Sequence, residues 1–214
     1  LPPYEHAMKK LILKTAFITL GVTIVLAFAV FGIVSLVAPA QMMELTLSLG
    51  LERIGADYAY QEYERSGDTV YLARAFEICA TEGYDDQTAD DRFGLLYEDR
   101  DAFAALCEKR NGQVAEEVGV RYDYRGYVVG LGACVKYRLA GDDAERAAAI
   151  ELAVSETDVS FPAGNPVIAL AVEAAGRNDA AFCNQLLTAV QAGNFEETTD
   201  YINIVKILEG IANE

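Results

Sequence analysis

The feature that most constrains this chain is an uncharged segment of 24 residues near its N-terminus, running from Thr15 to Ala38. At about 1.5 Å rise per residue, a helix of this length covers the roughly 30 Å hydrocarbon core of a bilayer with room for some tilt. Because lipid offers the backbone no hydrogen-bond partners, a spanning segment has to be helical. The sequence therefore predicts one transmembrane helix over residues 15–38, through which the chain contacts the membrane.

The charges on the two sides of this segment predict its orientation. No Lys or Arg follows it until Arg53. Three lysines precede it: Lys9, Lys10 and Lys14. Basic residues favour the cytoplasmic side, so residues 1–14 are predicted as a short cytoplasmic segment. Residues 41–214 would then form a domain outside the cytoplasm, held at the cell membrane by a single-pass anchor.

The start of the chain leaves two questions open. Met8 stands directly before two lysines like a translation start, so residues 1–7 are a cloning-derived extension, an upstream start or the end of a longer cytoplasmic part. Ala38, Pro39 and Ala40 have the small-x-small form of a signal-peptide cleavage site. A signal h-region runs about 7–15 residues, so the longer apolar segment favours a retained anchor. The alternative is cleavage after Ala40, which would release a secreted, acidic, helical ligand-binding module.

Within the predicted span, small or weakly polar side chains recur every four residues. They form one stripe along the helix: Thr15, Thr19, Thr23 and Ala27. Such stripes let transmembrane helices approach closely, so this is a candidate packing face for assembly with other membrane helices. The competing interpretation is that the threonine hydroxyls bond back to the carbonyl four residues earlier.

The rest of the chain is strongly acidic. The sequence has 33 Asp and Glu against 17 Lys and Arg, a net charge of −16, of which residues 1–40 contribute +2. Residues 41–214 therefore carry 32 acids against 14 bases, a net charge of −18. Such a domain repels nucleic acid and anionic lipid surfaces, because both are bound through clustered Lys and Arg. With 52% hydrophobic residues, the chain is too apolar to be a disordered acidic tail.

Apolar residues in the acidic domain recur at helical spacing. Leu47, Leu51, Ile54 and Tyr58 follow an i, i+4, i+7, i+11 pattern, which is typical of amphipathic helices and not of strands. Polar residues after glycines or before a proline mark candidate helix starts: Asp68, Asp142, Asn165 and Asn194. The pattern predicts an all-α fold with eight or nine helices between about residues 43 and 212. We expect the apolar stretch 127–135 to be buried in one helix over 113–139.

Helices joined by short turns should pair as antiparallel hairpins. Within residues 52–83, Leu72, Phe76 and Cys79 occupy the apolar positions of a second repeat helix, and Tyr63 the aromatic position of a first. This segment resembles the tetratricopeptide repeats, although the Trp, Gly and closing Pro positions of that family are unmatched and no 34-residue repeat follows. The resemblance implies an α-helical-hairpin, α-solenoid-type domain that binds other proteins along a concave face.

The acidic domain offers no constellation for catalysis. The single histidine is His6, so the domain lacks the residue that Ser-His-Asp, Cys-His and most zinc catalysis require. Gly126, Gly130 and Gly132 match neither a dinucleotide fingerprint nor a phosphate loop, and close helix packing explains them better. We therefore predict no enzyme, no catalytic or metal-binding residue and no cofactor. A carboxylate-based hydrolase is the less favoured possibility.

Two further groups of residues favour structural roles. Four cysteines lie on apolar faces without a CxxC pair, which favours buried thiols: Cys79, Cys107, Cys134 and Cys183. If one disulfide forms, we expect it between Cys79 and Cys107, because their helices are neighbours in sequence. Four aspartates cluster around a helix start and favour a solvated first turn over a cation site: Asp85, Asp86, Asp90 and Asp91.

Two groups of tyrosines give the best indication of a binding surface, because Tyr and Arg are enriched at protein interfaces. The candidate partner surface comprises Tyr58, Tyr60, Tyr63, Tyr122, Tyr124, Arg125 and Tyr127. The alternative is that these rings line the rims between helices. The function predicted from sequence is a membrane-anchored helical scaffold or interaction protein, an accessory component of a membrane-associated complex, that binds a protein and not nucleic acid.

Overall fold

The computed structural model describes residues 3–84, 86–119, 122–158 and 164–213. These residues form eleven α-helices and no strand, which confirms the all-α prediction. The helices are α1 Pro3–Val37, α2 Pro39–Ser48, α3 Glu52–Ser66, α4 Thr69–Glu82, α5 Asp86–Glu98, α6 Arg100–Val118, α7 Tyr124–Leu139, α8 Asp143–Ser155, α9 Pro166–Gly176, α10 Ala180–Ala192 and α11 Thr199–Ala212.

Helix α1 carries the uncharged segment. Its stretch Ile12–Val37 has a mean hydropathy of 2.7 and is not buried against the rest of the chain. The helix is therefore long and apolar enough to cross a membrane. It ends at Val37, and Ala38 separates it from Pro39, the first residue of α2, because proline suits a first helical position and disfavours helix in the residue before it.

Short polar side chains start many of the later helices. Asp68, Asp142 and Asn165 accept hydrogen bonds from the backbone of the first turn, as predicted. The prediction for Asn194 is wrong, because Thr198 caps α11. Three further caps were not predicted: Asp99, Asp123 and Asp179.

The helix expected over residues 113–139 is two helices. Helix α6 ends at Val118, and Gly119 follows it in the left-handed conformation at φ 70°, which glycine adopts without strain. Helix α7 then starts behind the cap Asp123, whose carboxylate accepts a 2.9 Å hydrogen bond from the amide of Gly126. The apolar stretch 127–135 is helical and mostly buried, as predicted.

Two large apolar clusters form most of the core, with α7 between them, and a small third cluster joins α2, α3 and α4. The first lies among α3 to α7, and the second among α7 to α11. Helix α7 packs against α4, α5, α6, α8 and α9. The approach of α5 is close at Gly132, where an added Cβ would lie 2.6 Å from the Phe93 ring. Glycine therefore permits helix packing here, as the sequence indicated.

Candidate functional site

Tyr124 belongs to the core and not to an exposed surface. Its side chain is 5% exposed, and its hydroxyl donates a 2.5 Å hydrogen bond to Oε1 of buried Glu77. The other carboxylate oxygen lies 3.3 Å from Arg74 Nη1. Burial is the main cause that raises the pKa of the Tyr124 hydroxyl, and the negative charge of Glu77 raises it further. Tyr124 is therefore placed to hold α7 against α4.

The remaining rings near Tyr124 are half-buried. The Tyr127 ring lies 6.1 Å from that of Tyr122 and 6.3 Å from that of Tyr124. Burial is the main reason that the pKa of Tyr122 rises to about 12. Arg125 bonds to Glu156, the residue directly after α8, so its guanidinium is engaged in a link to the end of that helix.

The tyrosines of α3 form a separate group, and in the described part of the chain no ring contact joins them to the α7 group. Tyr60 and Tyr63 lie 6.1 Å apart, and the guanidinium of Arg92 lies 5.0 Å above the Tyr60 ring. Tyr58 points the other way, and its hydroxyl donates a 2.9 Å hydrogen bond to Ser35 Oγ in α1. Tyr58, Tyr124 and Arg125 thus take part in contacts between helices, and the partner surface formed by the seven residues stays a prediction.

The concave feature nearest to these residues is a cleft among α2, α4, α6 and α7. Its volume is about 450 Å³, and Glu77 and Tyr124 line it. Six charged side chains line it in all, three of each sign: Glu44, Asp68, Arg74, Glu77, Lys109 and Arg110. This balance stands out in a domain of net charge −18. We call this feature the α2–α7 cleft.

Lys109 and Arg110 were missed by sequence reasoning. They are the only adjacent pair of basic residues after residue 40, which was the available signal. The guanidinium of Arg110 lies 5.6 Å from the centre of the Tyr124 ring and donates a 2.9 Å hydrogen bond to Gln113. A basic pair therefore flanks the entrance to a cleft with Glu77 and Tyr124 in its wall.

A second feature is the junction between α1 and the rest of the molecule. Besides the bond between Tyr58 and Ser35, buried Glu62 of α3 reaches the start of α2. A hydrogen bond from Arg65 mainly holds the pKa of Glu62 below its usual value; burial opposes this, and the backbone N–H of Ala40 adds to it. The Glu62 carboxylate therefore lies beside the first turn of α2. That helix has no side-chain cap from its own N-cap residue.

The stripe on α1 faces two shallow grooves. Thr15, Thr19 and Thr23 line the first with neighbouring apolar residues. Thr23 and Ala27 line the second, which opens between α1 and α2. The Thr23 hydroxyl donates a 2.9 Å hydrogen bond to the carbonyl of Thr19, which is the back-bonding geometry expected of a helical threonine.

All four cysteines are buried and free, so Cys79 and Cys107 are not bridged. Burial raises the pKa of the Cys107 and Cys134 thiols to about 12, and such thiols are poor nucleophiles. No group of metal-ligating side chains occurs in the described ranges.

The aspartates at the start of α5 were expected to be solvated. Asp86 instead pairs with Arg138 at 3.2 Å, and Asp90 pairs with Lys136 at 3.1 Å. These carboxylates tie α5 to α7, because the acidic start of one helix lies against the basic last turns of the other. Asp85 lies outside the described residues.

The fold and the junction define an all-helical protein with one helix that is long and apolar enough to cross a membrane. No protein-family model matches the chain, and no curated protein or solved structure matches it.

Proposed function

We propose that this chain is a membrane-anchored helical scaffold, an accessory component of a membrane-associated complex, with no catalytic role. The observation that carries the proposal is the junction. The Tyr58 hydroxyl donates a hydrogen bond to Ser35 Oγ in α1, and buried Glu62 of α3 lies beside the start of α2, where the backbone of Ala40 helps to lower its pKa. A domain joined in this way has a defined position relative to its anchor, which suits a protein that presents a surface to a partner at the membrane.

The orientation and the repeat character are part of the proposal. The lysines before α1 favour a cytoplasmic N-terminus and an extracytoplasmic domain. The tetratricopeptide-like arrangement is supported over α2 to α5, where each helix packs against the next in sequence. The central position of α7, packed against five helices, departs from a regular repeat.

We further assign the α2–α7 cleft as the contact for the protein partner. Residues 40 and 41, in the first turn of α2, belong to its lining, so the cleft lies near the end of α1. Lys109 and Arg110 offer donors for charge-assisted hydrogen bonds to a carboxylate, and exposed Arg74 adds a third. An acidic loop of the partner is the chemistry that this side of the cleft favours.

The test is purification of the full chain from its native membranes in mild detergent, followed by mass spectrometry of the associated proteins. The variant K109E/R110E should lose a stoichiometric partner that the parent retains. The control is Lys206→Glu, which makes the same kind of charge change on exposed α11. Circular dichroism checks that each variant is folded. Retention of the partner by the double variant would place its contact elsewhere.

The same preparation tests the anchor. Cleavage after Ala40 would remove Pro39, which is buried at the start of α2. This packing supports a retained anchor. Recovery of a soluble chain that begins at Gln41 would instead support the secreted ligand-binding module.

A further inference from the structure

The turn between α2 and α3 exposes a group of large apolar side chains. Leu45, Leu49, Leu51 and Ile54 are between 44% and 64% exposed. Residues 45–51 contain no charge. Large contiguous apolar patches on a folded surface mark sites of contact with a partner or a membrane. We call these four side chains the apolar tip.

The apolar tip lies beside α1 and not beyond its end. A groove of about 570 Å³ separates α1 from α2, and Leu45 lines it together with Thr23 and Ala27. Helix α2 therefore turns back along α1. Helix α3 agrees with this placement, since Tyr58 bonds to Ser35 near the end of α1 and Ile54 of the tip lies about one helical turn before Tyr58 in the same helix.

The tip has a fixed shape. The amide of Leu51 donates a 2.9 Å hydrogen bond to the carbonyl of Thr46, and Gly50 takes the left-handed conformation at φ 69°. The two helices approach so closely that a Cβ on Gly55 would lie 2.6 Å from a methyl carbon of Leu47. Leu47 faces inward while its neighbours in the tip face outward, so the exposure of the tip follows from the packing.

We propose that the apolar tip is a second membrane contact, inserted into the leaflet that surrounds the C-terminal half of α1, with acyl chains filling the groove between α1 and α2. The inference rests on the proposed function, since it requires that α1 spans the membrane. An apolar helix face enters a bilayer to a depth of about 5–10 Å. Glu52 and Arg53 lie between Leu51 and Ile54 of the tip and set its depth at the headgroups, because charges resist deeper insertion.

Lipid is the occupant that the surroundings favour. The tip continues the exposed apolar surface of α1, whose side chains are themselves in contact with lipid if the helix spans. The groove is lined almost wholly by apolar side chains, with Thr23 as the exception, and that hydroxyl is already bonded to the carbonyl of Thr19. No charged group in the groove would select a polar partner.

The chain contains no Trp, so a single introduced Trp reports its own surroundings. The full chain is reconstituted in phosphatidylcholine vesicles, with or without lipids brominated on the acyl chains. Leu49→Trp and Leu45→Trp are the tests, and Phe28→Trp, exposed on α1, is the reference for a membrane position. Val172→Trp, exposed on α9, is the control for a position outside it.

The expected result is blue-shifted emission and strong loss of intensity with brominated lipid for both tip variants and for Phe28→Trp, and neither effect for Val172→Trp. Quenching at Phe28→Trp alone would overturn the tip inference and leave the anchor standing. No quenching at Phe28→Trp would contradict the membrane span, and with it the proposed function. A blue shift at the tip without quenching, dependent on the ratio of protein to lipid, would indicate a second copy of the chain as the occupant and overturn the lipid assignment.

Discussion

The hydroxyl of Tyr58 donates a 2.9 Å hydrogen bond to Ser35 Oγ, joining α3 to the last turns of α1 across 23 positions of sequence. Ser35 in turn donates a 2.8 Å hydrogen bond to the carbonyl of Phe31. Its hydroxyl therefore acts both as an acceptor, from Tyr58, and as a donor, to Phe31. The bond is the one polar side-chain link from α1 to a later helix in the described residues. It therefore bears on how firmly the domain is oriented on its anchor.

We predict that Tyr58→Phe loosens this orientation while leaving the helices intact. The ring keeps its packing against the nearby apolar cluster, but the link to Ser35 is lost. Spin labels on exposed positions of α1 and α3, at Val25→Cys and Gln61→Cys, should give a broader distance distribution in the variant. Tyr84→Phe, on an exposed ring, should leave it unchanged. An unchanged distribution for Tyr58→Phe would show that packing of α2 alone sets the orientation.

A second prediction concerns the pair formed by Tyr124 and Glu77. Tyr124→Phe removes a hydrogen bond to a buried carboxylate, and we expect it to lower the free energy of unfolding by about 2 kcal/mol. Tyr124→Ala also leaves a cavity and should cost about 4 kcal/mol. Denaturant unfolding of the full chain in detergent measures both. The control is Tyr84→Phe, which should stay within about 0.5 kcal/mol of the parent. Equal, small effects of the two Tyr124 substitutions would show that Tyr124 is not a core residue.

A third prediction uses two glycines in neighbouring helices. Gly132→Ala should destabilise the fold by about 1–3 kcal/mol, because its Cβ would lie 2.6 Å from the ring of Phe93. Gly94→Ala should be neutral or stabilising by up to about 1 kcal/mol, because nothing lies within 4 Å of its Cβ and alanine favours helix. Thermal unfolding compares the two variants. The same sign of effect at both positions would contradict the close contact between α5 and α7.

The sequence predicted local features well where a single side chain decides them. Asp68 and Asn165 cap helices because a short polar group after Gly or before Pro has an adjacent amide to bond. Asn194 has the same pattern and fails, because the chain stays irregular until Thr198 supplies the cap. No local rule distinguishes these two outcomes, since the packing of α11 against α9 and α10 contributes to where it begins.

Features that depend on distant contacts could not be predicted. Tyr124 and Arg125 look alike as interface residues in the sequence, yet Tyr124 points inward to Glu77, 47 positions away. The α2–α7 cleft joins residues from four helices, so only the basic pair at Lys109 could have signalled it. Local spacing predicts a solvated acidic cluster, because its partners Lys136 and Arg138 lie in another helix and are not apparent from that spacing.

A fourth prediction concerns the thiols. Burial raises the pKa of Cys107 and Cys134 to about 12, so neither forms much thiolate at pH 8. We expect no cysteine of the folded chain to react with a maleimide or a disulfide reagent within minutes, and four to react after unfolding. The control is Gln61→Cys, whose exposed thiol should react at once. Fewer than four reactive thiols after unfolding without reductant would indicate a disulfide.

Three buried or bridging carboxylates give the domain a sensitivity to acid. Hydrogen bonds from Arg65 and Arg146 mainly hold the pKa of Glu62 and of Asp179 below their usual values. Glu156 is the third. A carboxyl group with a lowered folded-state pKa stabilises the fold above its unfolded pKa and loses that contribution as the pH falls through the folded value. Asp123 acts in the opposite sense, because burial raises its pKa.

Glu156 offers the sharpest test of this sensitivity, which is the fifth prediction. Burial works against its charge, but hydrogen bonds from Tyr97 and Arg125 and the charges of Arg125 and Arg100 outweigh burial and lower its pKa from 4.5. Glu156→Gln should therefore be less stable than the parent at pH 7, and the difference should shrink as the pH falls below 4.5 and the parent loses the same charge.

The matched control for Glu156→Gln is Glu151→Gln, which removes one charge from an exposed position in α8, five residues before Glu156. Free energies of unfolding measured from pH 7 to pH 3 should show a gap that closes for Glu156→Gln and no pH-dependent gap for Glu151→Gln. A gap for Glu156→Gln that stays constant over this range would mean that the substitution acts through packing, since a charge lost in both proteins can no longer distinguish them. If the free energies of unfolding of the two variants changed with pH in the same way, the change would reflect only the net charge of the domain. The pairs of Glu156 with Arg100 and Arg125 would then contribute nothing to stability.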